Sequence, residues 1–341
     1  MEIQQTLQRL LNREDLQSAE MREVMHAIMS GGCTPAQIAG ILIALRMKGE
    51  SVDEITAAAE VMRELSTRVD VSPDHLLDTC GTGGDGAGTF NISTTAAFVA
   101  ATAGARVAKH GNRSVSGKSG SADVLEAAGV KLDLTPAQVA ECINRIGIGF
   151  MFAPAHHGAM KHAIGPRREL GVRTIFNLLG PLTNPAGATC QLVGVYSDAW
   201  LDKIAEVLRN LGSRHVMVVH AEDGLDEISL SAPTSVAELI DGEIRNYRFT
   251  PEQFGLQRAD LKSITADSVQ DSLQIMQDVL KNKTCPARDV VLLNAAAALY
   301  TAGVVQNMET GMDRARQAIA NGGAREKLEQ LAALTRSFGN A

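Results

Sequence analysis

The sequence predicts an α/β fold: a small N-terminal all-helical lobe and a larger α/β lobe with a central mixed sheet flanked by helices. Three observations predict it. Up to about residue 68 the apolar side chains recur at helical spacing, with no strand-like run. From about residue 71, short apolar runs alternate with helical stretches, the pattern of a sheet covered by helices. From about residue 268 the chain reads as helical again. With 341 residues and 45% hydrophobic composition, there is material for a sizeable core and for about two domains.

In the first lobe, residues 1–70, Leu7, Leu10 and Leu11 mark one helix and Met21, Val24, Met25 and Ile28 the next. Gly31-Gly32 stops that helix. Thr34-Pro35-Ala36-Gln37 is a capping box with proline at the first helical position, and Gly49 ends the helix it starts. Ser51-Val52-Asp53-Glu54 is a second box. No glycine loop and no constellation of reactive groups falls here, so the lobe reads as a packing or oligomer surface.

The second lobe takes residues 71–154 and 190–341. Its strands are expected at His75–Cys80, Arg106–Lys109, Val130–Leu132, Ile148–Phe152, Gln191–Tyr196 and Val216–His220. Thr135-Pro136-Ala137-Gln138 opens a helix with a third capping box. Pro154 to Pro185 breaks the alternation and reads as helical, so part of 155–190 is expected to return to the first lobe. Residues 234–249 alternate apolar and polar around Asp241-Gly242, which predicts a hairpin.

Composition excludes several classes of function. A net charge of -7 argues against a nucleic-acid footprint, and 4% aromatic residues leave no base-stacking platform. The five cysteines, Cys33, Cys80, Cys142, Cys190 and Cys285, are scattered without a CxxC spacing, so they read as small buried hydrophobes. The first fifteen residues lack a signal-peptide core, and no apolar run is long enough to span a membrane. A cytoplasmic protein without membrane or nucleic-acid partners is expected.

The chemistry concentrates between Asp78 and Gly129. Two glycine-rich loops lie here about 25 residues apart, each between a short apolar run and a helical stretch. The first spans Gly81 to Gly88 and the second Lys109 to Ser121. Glycines let a backbone turn sharply and bring its N–H groups to an anion. A helix start beyond the loop adds free N–H groups and a positive dipole end. Asn91, Ser93, Thr94 and Thr95 offer cap-type side chains before the small-residue run Ala96–Ala103. Lys109, Arg113 and Lys118 add charge to the second loop. Two such cradles suit one ligand with two phosphate groups.

Two phosphate motifs come close and fail. Gly81, Gly83 and Gly86 spell GxGxxG, yet the strand that follows ends in Lys109-His110, where a dinucleotide fold needs an acid for the ribose. Between Gly111 and Gly117-Lys118-Ser119 lie five residues where a P-loop has four.

Asp223-Gly224-Leu225-Asp226-Glu227 follows an apolar strand, and acids there, facing phosphate loops, suit Mg²⁺; an acidic surface turn fits as well. Arg167, Arg168 and Arg173 lie in the helical insert and fit either a substrate carboxylate or a solvated helix face. His156, His157 and His162 lack a third ligand at metal spacing, so structural or substrate-lining roles are expected. No nucleophile elbow or Cys–His pairing is present. The residues therefore point to transfer chemistry run by positioning and charge neutralisation, without a catalytic acid, base or nucleophile.

At these residues the chain resembles the anthranilate phosphoribosyltransferases. The likeness rests on Gly81-Thr82-Gly83-Gly84-Asp85, Asn91-Ile92-Ser93-Thr94, Lys109-His110-Gly111-Asn112-Arg113, Gly120 to Glu126, Arg173 to Pro185, and Asp226-Glu227, in order across most of the chain. The resemblance implies transfer of the phosphoribosyl group of 5-phosphoribosyl 1-diphosphate to the amine of anthranilate, with Mg²⁺, in tryptophan biosynthesis. It implies that Gly81, Gly84, Asp85, Thr89, Asn91, Ile92, Ser93, Thr94, Lys109, His110, Gly111, Asn112, Arg113, Ser114, Val115, Ser116, Gly117 and Ser121 hold the donor. It further implies that Gly81, Asn112 and Arg167 contact anthranilate, that Ser93, Asp226 and Glu227 serve the metal, and that a homodimer forms through the helical lobe. A pyrimidine nucleoside phosphorylase shares the Lys-His-Gly-Asn-Arg loop, and a nucleic-acid-binding relative of the same fold is the other alternative. The acid pair and the Asn91–Thr94 segment favour the transferase over the first. The negative charge and complete loops speak against the second.

Overall fold

The computed structural model describes residues 3–72, 75–114 and 118–339. Four helices come first: Ile3–Leu11, Ser18–Met29, Pro35–Lys48 and Val52–Glu64. Their starts are satisfied locally. Thr34 N donates to Gln37 Oε1 at 2.9 Å, and Ser51 N to Glu54 Oε2 at 2.8 Å, each returned by the hydroxyl of the capping residue. Glu54 is buried and also accepts Leu16 N at 3.0 Å and Lys48 Nζ at 2.8 Å, so this carboxylate is compensated by donors on three sides.

Seven strands follow: β1 Leu76–Gly81, β2 Arg106–Gly111, β3 Ile148–Phe152, β4 Cys190–Gly194, β5 His215–Ala221, β6 Thr234–Ile240 and β7 Glu243–Phe249. They form one sheet in the order β3-β2-β1-β4-β5-β6-β7. The first five are parallel, and β6 and β7 add antiparallel. The hairpin turns at Asp241 (φ 50°) and Gly242 (φ 87°), both left-handed, as a two-residue turn between twisted strands requires.

Apolar packing covers both faces. On one, Leu77, Ala108 and Leu192 meet the helices Ile92–Thr102 and Pro286–Thr301. On the other, Val193, Val216 and Val218 share an apolar cluster with Ile204 and Leu208 and with Ile55 and Val61 of the first four helices. The insert helix Lys161–Leu170 packs on Pro35–Lys48 and Ser18–Met29. No helix among the described residues is long and apolar enough to cross a membrane.

One expected strand does not form. Val130–Leu132 joins no strand of the sheet; Val130 N donates to Leu125 O at 3.0 Å and Lys131 N to Thr335 Oγ1 at 3.1 Å, so these amides are spent on flanking helices. Val130 and Leu132 are buried there, which explains the apolar pattern without a sheet.

The strand order positions the site. Chain connections from β1 run outward one way to β2 and β3, and the other way from β4 to β5. At such a reversal the loops leaving neighbouring strands diverge and leave a crevice beyond the strands' C-terminal ends. Gly81 and Gly194 face each other there, as the last register pair of β1 and β4.

Candidate active site

The first glycine loop leaves β1 into that crevice. Gly83, Gly84, Gly86 and Gly88 all have φ between 64° and 79°, a conformation that L side chains rarely adopt. The loop is pinned at both ends. Thr82 N donates to Gly194 O at 2.9 Å, and Gly83 N to Asp226 Oδ2 at 2.7 Å. At the far end Ala266 N donates to Gly88 O, Phe90 N to Ile264 O, and Thr89 forms an isolated bridge with Thr265. Asp85 folds back on its own loop, accepting Ala87 N at 3.1 Å.

The helix Ile92–Thr102 begins just beyond. Asn91 occupies its cap position, but its side chain does not cap the helix. Glu227 does part of that work, accepting Ser93 N at 3.1 Å, where the helix dipole favours a negative group. Lys109, buried at 3% exposure on β2, donates to Thr79 O and reaches Ser93 Oγ at 3.5 Å. The hydroxyl of Thr94 is buried without a partner in the structure.

Asp226 and Glu227 stand at the end of the turn after β5. Asn294 clamps the next residue from both sides, accepting Ile228 N at 3.1 Å and donating to Ile228 O at 2.9 Å. Asp223 serves the turn itself through Ser229, at 2.6 Å, and Leu225 N. Burial, then the neighbouring charges of Asp85 and Glu227, push the Asp226 carboxyl well above the usual carboxylate range. Burial likewise lifts Glu227 to about 7, against the pull of Lys109. Adjacent buried acids of this kind would be favoured in their ionised form by a cation beside them. Among the described residues no three His, Cys, Asp or Glu side chains could hold an ion together, so the two carboxylates and Ser93 would share it with ligand oxygens.

The second loop leaves β2 at Gly111. Its cations are already engaged: Arg113 donates to Asp123 at 3.0 Å and to Glu126 at 2.8 Å, and Lys118 pairs with Asp267. What the loop offers instead is a tightly wound backbone. Asp123 Oδ2 accepts Ser114 N at 3.1 Å and Gly120 N at 2.9 Å, and Asn112 O accepts Ala122 N at 3.2 Å. At Gly111 a Cβ would meet Ser121 Oγ and, at 2.8 Å, the buried Phe150 ring, so any side chain at the strand end would force both to shift. Val115, Ser116 and Gly117 lie outside the described residues.

Arg167 sits partly buried, its guanidinium 5.2 Å over the Phe176 ring, and forms no ion pair with a carboxylate among the described residues. Phe176 and Gly180 lie one turn apart on the helix Ile175–Leu182, hence on one face. Gly180 O faces His110 Nδ1 at 3.2 Å, and the His110 ring lies 5.1 Å from that of His157. Both Nε2 atoms are buried without partners among the described residues. Burial and the neighbouring ring push His110 down to about 3; burial and His156 push His157 to about 4, so both rings are neutral. The three insert histidines separate: His156 binds Thr67 O, His162 lies against Gly31, and His157 alone joins His110. Arg173 stacks 4.0 Å over Tyr196 and abuts the first loop, where a Cβ on Gly84 would meet its Nε at 2.8 Å.

Sequence reasoning missed the pairing of His157 with His110, the role of Asp123 in winding the second loop, and Gly194. Asp123 had a signal in its place three residues after Gly120, the capping-box position. Gly194 had none.

A family model described as "Glycosyl transferase family, a/b domain" matches residues 73–325, and one described as "Glycosyl transferase family, helical bundle domain" matches residues 4–66. The anthranilate phosphoribosyltransferase of Methylococcus capsulatus is 64% identical over 338 residues, 99% of each chain. That of Thioalkalivibrio sulfidiphilus is 62% identical over 337 residues, 99% of this chain and 100% of its own. The crystal structure of the Thermus thermophilus anthranilate phosphoribosyltransferase is similar with a TM-score of 0.92 and 44% identity, covering 97% of this chain and 99% of that one. The Saccharomyces cerevisiae enzyme in complex with PRPP and Mg has a TM-score of 0.91 at 27% identity, covering 98% of each.

Proposed function

This chain belongs to the anthranilate phosphoribosyltransferases, and from that premise we propose how its own residues carry the reaction. The enzyme transfers the phosphoribosyl group of 5-phosphoribosyl 1-diphosphate to the amine of anthranilate. A bond forms from that nitrogen to C1 of the ribose, the C1–oxygen bond breaks, pyrophosphate leaves with the electron pair, and the amine gives up a proton.

The observation that carries the reading is that adjacent acids each grip one anion-holding element. Asp226 reaches the first loop through Gly83 N, and Glu227 the helix start through Ser93 N. The diphosphate belongs between them, on the loop from Gly81 to Asp85 and Thr89, the start Asn91–Thr94, and the second loop from Lys109 to Gly117 with Ser121. Asp226, Glu227 and the Ser93 hydroxyl hold Mg²⁺, which when bound neutralises charge on the departing diphosphate. Lys109 brings a fixed positive charge beneath the same place.

Anthranilate is assigned to Arg167, Asn112, Gly81 and the two neutral histidine rings, a reading supported by the helix Ile175–Leu182, which carries both Phe176 under Arg167 and Gly180 against His110. An arginine without a carboxylate partner, backed by an aromatic ring, suits the carboxylate of an aryl acid. Unpartnered Nε2 atoms on His110 and His157 supply hydrogen-bonding capacity without charge. The arylamine is already neutral near pH 7, so the site needs orientation more than a base.

The helices of residues 1–70, joined by part of 155–190, form one lobe, and 71–154 with 190–341 the other. Leu11 at 67% exposure and Met47 at 76% are large apolar side chains left exposed on that lobe, and their burial against a second copy of the chain is the homodimer we propose. The tests are direct. Anthranilate fluorescence should fall with the diphosphate donor and Mg²⁺ and hold steady in EDTA; full turnover in EDTA overturns the metal site. Light scattering should give about twice 36.2 kDa, and Met47→Glu should halve it.

A further inference from the structure

We infer that Ser272, on the helix Val269–Leu280, is a positioning residue for the diphosphate donor and acts through Asn91. The inference rests on the reading above that Asn91 belongs to the donor site.

Asn91 has a side chain suited to capping its own helix, yet spends it elsewhere. Its Oδ1 accepts Ser272 Oγ at 2.7 Å and Ser119 Oγ at 2.9 Å, and its Nδ2 donates to Ser119 O at 3.3 Å. Its backbone N donates to Ser272 Oγ at 3.1 Å. One hydroxyl, fully buried, thus fixes both the backbone and the side chain of the residue joining the two loops. With its proton donated to Oδ1, Ser272 fixes the acceptor end of the amide on its own side, and Ser119 of the second loop meets both ends, its hydroxyl at Oδ1 and its carbonyl at Nδ2.

The segment leading to Ser272 runs alongside both loops. Ile264 and Ala266 bond the end of the first loop, Thr265 bridges Thr89, and Asp267 pairs with Lys118 of the second. The Lys118–Asp267 pair is exposed and contributes little by itself. Ser272 is the buried end of this strap, in contact with the residue that touches both loops. The helix Ser121–Ala127, into which the second loop feeds, packs on the helix carrying Ser272. A hydroxyl lost there unsettles the geometry of the donor site while leaving the Arg167 side of the crevice in place.

The test measures both Michaelis constants with saturating Mg²⁺ for Ser272→Ala, Ser272→Cys, Asn91→Ala and the double variant Asn91→Ala/Ser272→Ala. Losing two hydrogen bonds to Asn91 should raise the KM of the donor about five- to tenfold. The KM of anthranilate should move less than about twofold in the same variants. A purely structural role would lower the active fraction, hence kcat, and leave the two constants unsplit. Ser272→Cys keeps the volume if the alanine variant is poorly folded, and Ser272→Thr, which keeps the hydroxyl, should restore the donor KM. The double variant should be no worse than Asn91→Ala, because the residues act as one unit. Unchanged donor KM in the Ser272 variants, with Asn91→Ala impaired, overturns the inference. Unchanged donor KM in Asn91→Ala overturns the assignment of Asn91 itself, and additive effects overturn the route through Asn91.

Discussion

Asp226 Oδ2 accepts the amide of Gly83 at 2.7 Å, so the acid proposed to hold the metal also holds the first glycine loop. The two duties can be separated. Asp226→Asn keeps an acceptor oxygen for Gly83 but removes the negative charge. It should keep a melting temperature near that of the parent while kcat/KM falls about a hundredfold or more. Asp226→Ala removes both and should also lower the melting temperature. Equal activity in Asp226→Asn and the parent at limiting Mg²⁺ would rule this residue out as a metal ligand.

Arg167 offers a parallel separation on the other substrate. A charge-assisted bond to a carboxylate in a partly dry site is worth about 1.5–3 kcal/mol. Arg167→Ala should therefore raise the anthranilate KM about 10- to 100-fold and leave that of the donor nearly unchanged. Arg167→Lys should recover little, because an ammonium replaces neither the two-point fork nor the stack on Phe176. A matching rise in both constants would remove Arg167 from carboxylate recognition.

What could be read from the chain, and what could not, follows from the range of each interaction. The capping boxes at Thr34, Ser51 and Thr135 close within three residues and were visible as such. The turn at Asp241-Gly242 and the positive-φ glycines of the first loop are equally local. Val130–Leu132 misled because burial against a helix and pairing in a sheet leave the same apolar trace. The ion pairs of Arg113 were not legible, since Asp123 and Glu126 approach it only once the following helix has formed. Ser272 is 181 positions from Asn91, and no local pattern links them.

The buried imidazoles set an acid limit on stability. His110 and His157 are held neutral in the fold, at about 3 and about 4, whereas in the unfolded chain they charge near the ordinary value of 6.5. Below about 6.5 the unfolded state therefore binds protons at these rings that the native state refuses, and their contribution to stability falls as pH drops toward 4. Each such histidine contributes at most about 1.4 kcal/mol per pH unit across that window. The raised carboxyls of Asp226 and Glu227 add the opposite slope in this window, so the histidine share shows as a difference: between pH 6.5 and 4.5 the melting temperature of His157→Gln should fall less, or rise more, than that of the parent. An identical slope in that variant would show that other groups set the limit.

Gly194 marks the tightest point of the architecture. It faces Gly81 across β1 and β4, and its carbonyl accepts Thr82 N at 2.9 Å. A Cβ there would overlap the carbonyl oxygen of Asp226, a backbone atom that cannot swing aside as a side chain would. Gly194→Ala must therefore displace the acid turn as a whole. That displacement pulls Asp226 from Gly83 and Glu227 from Ser93 together. Activity should fall by more than about a hundredfold, with a clear drop in melting temperature, since removing a preorganised group typically costs that much. Gly165→Ala is the matched control. It lies inside the helix Lys161–Leu170, with open space where the methyl would go, and should hold or gain up to about 1 kcal/mol from helix propensity. If Gly194→Ala instead kept both the parent melting temperature and the parent Mg²⁺ requirement, close approach of the acid turn to β4 would not be what places the acids.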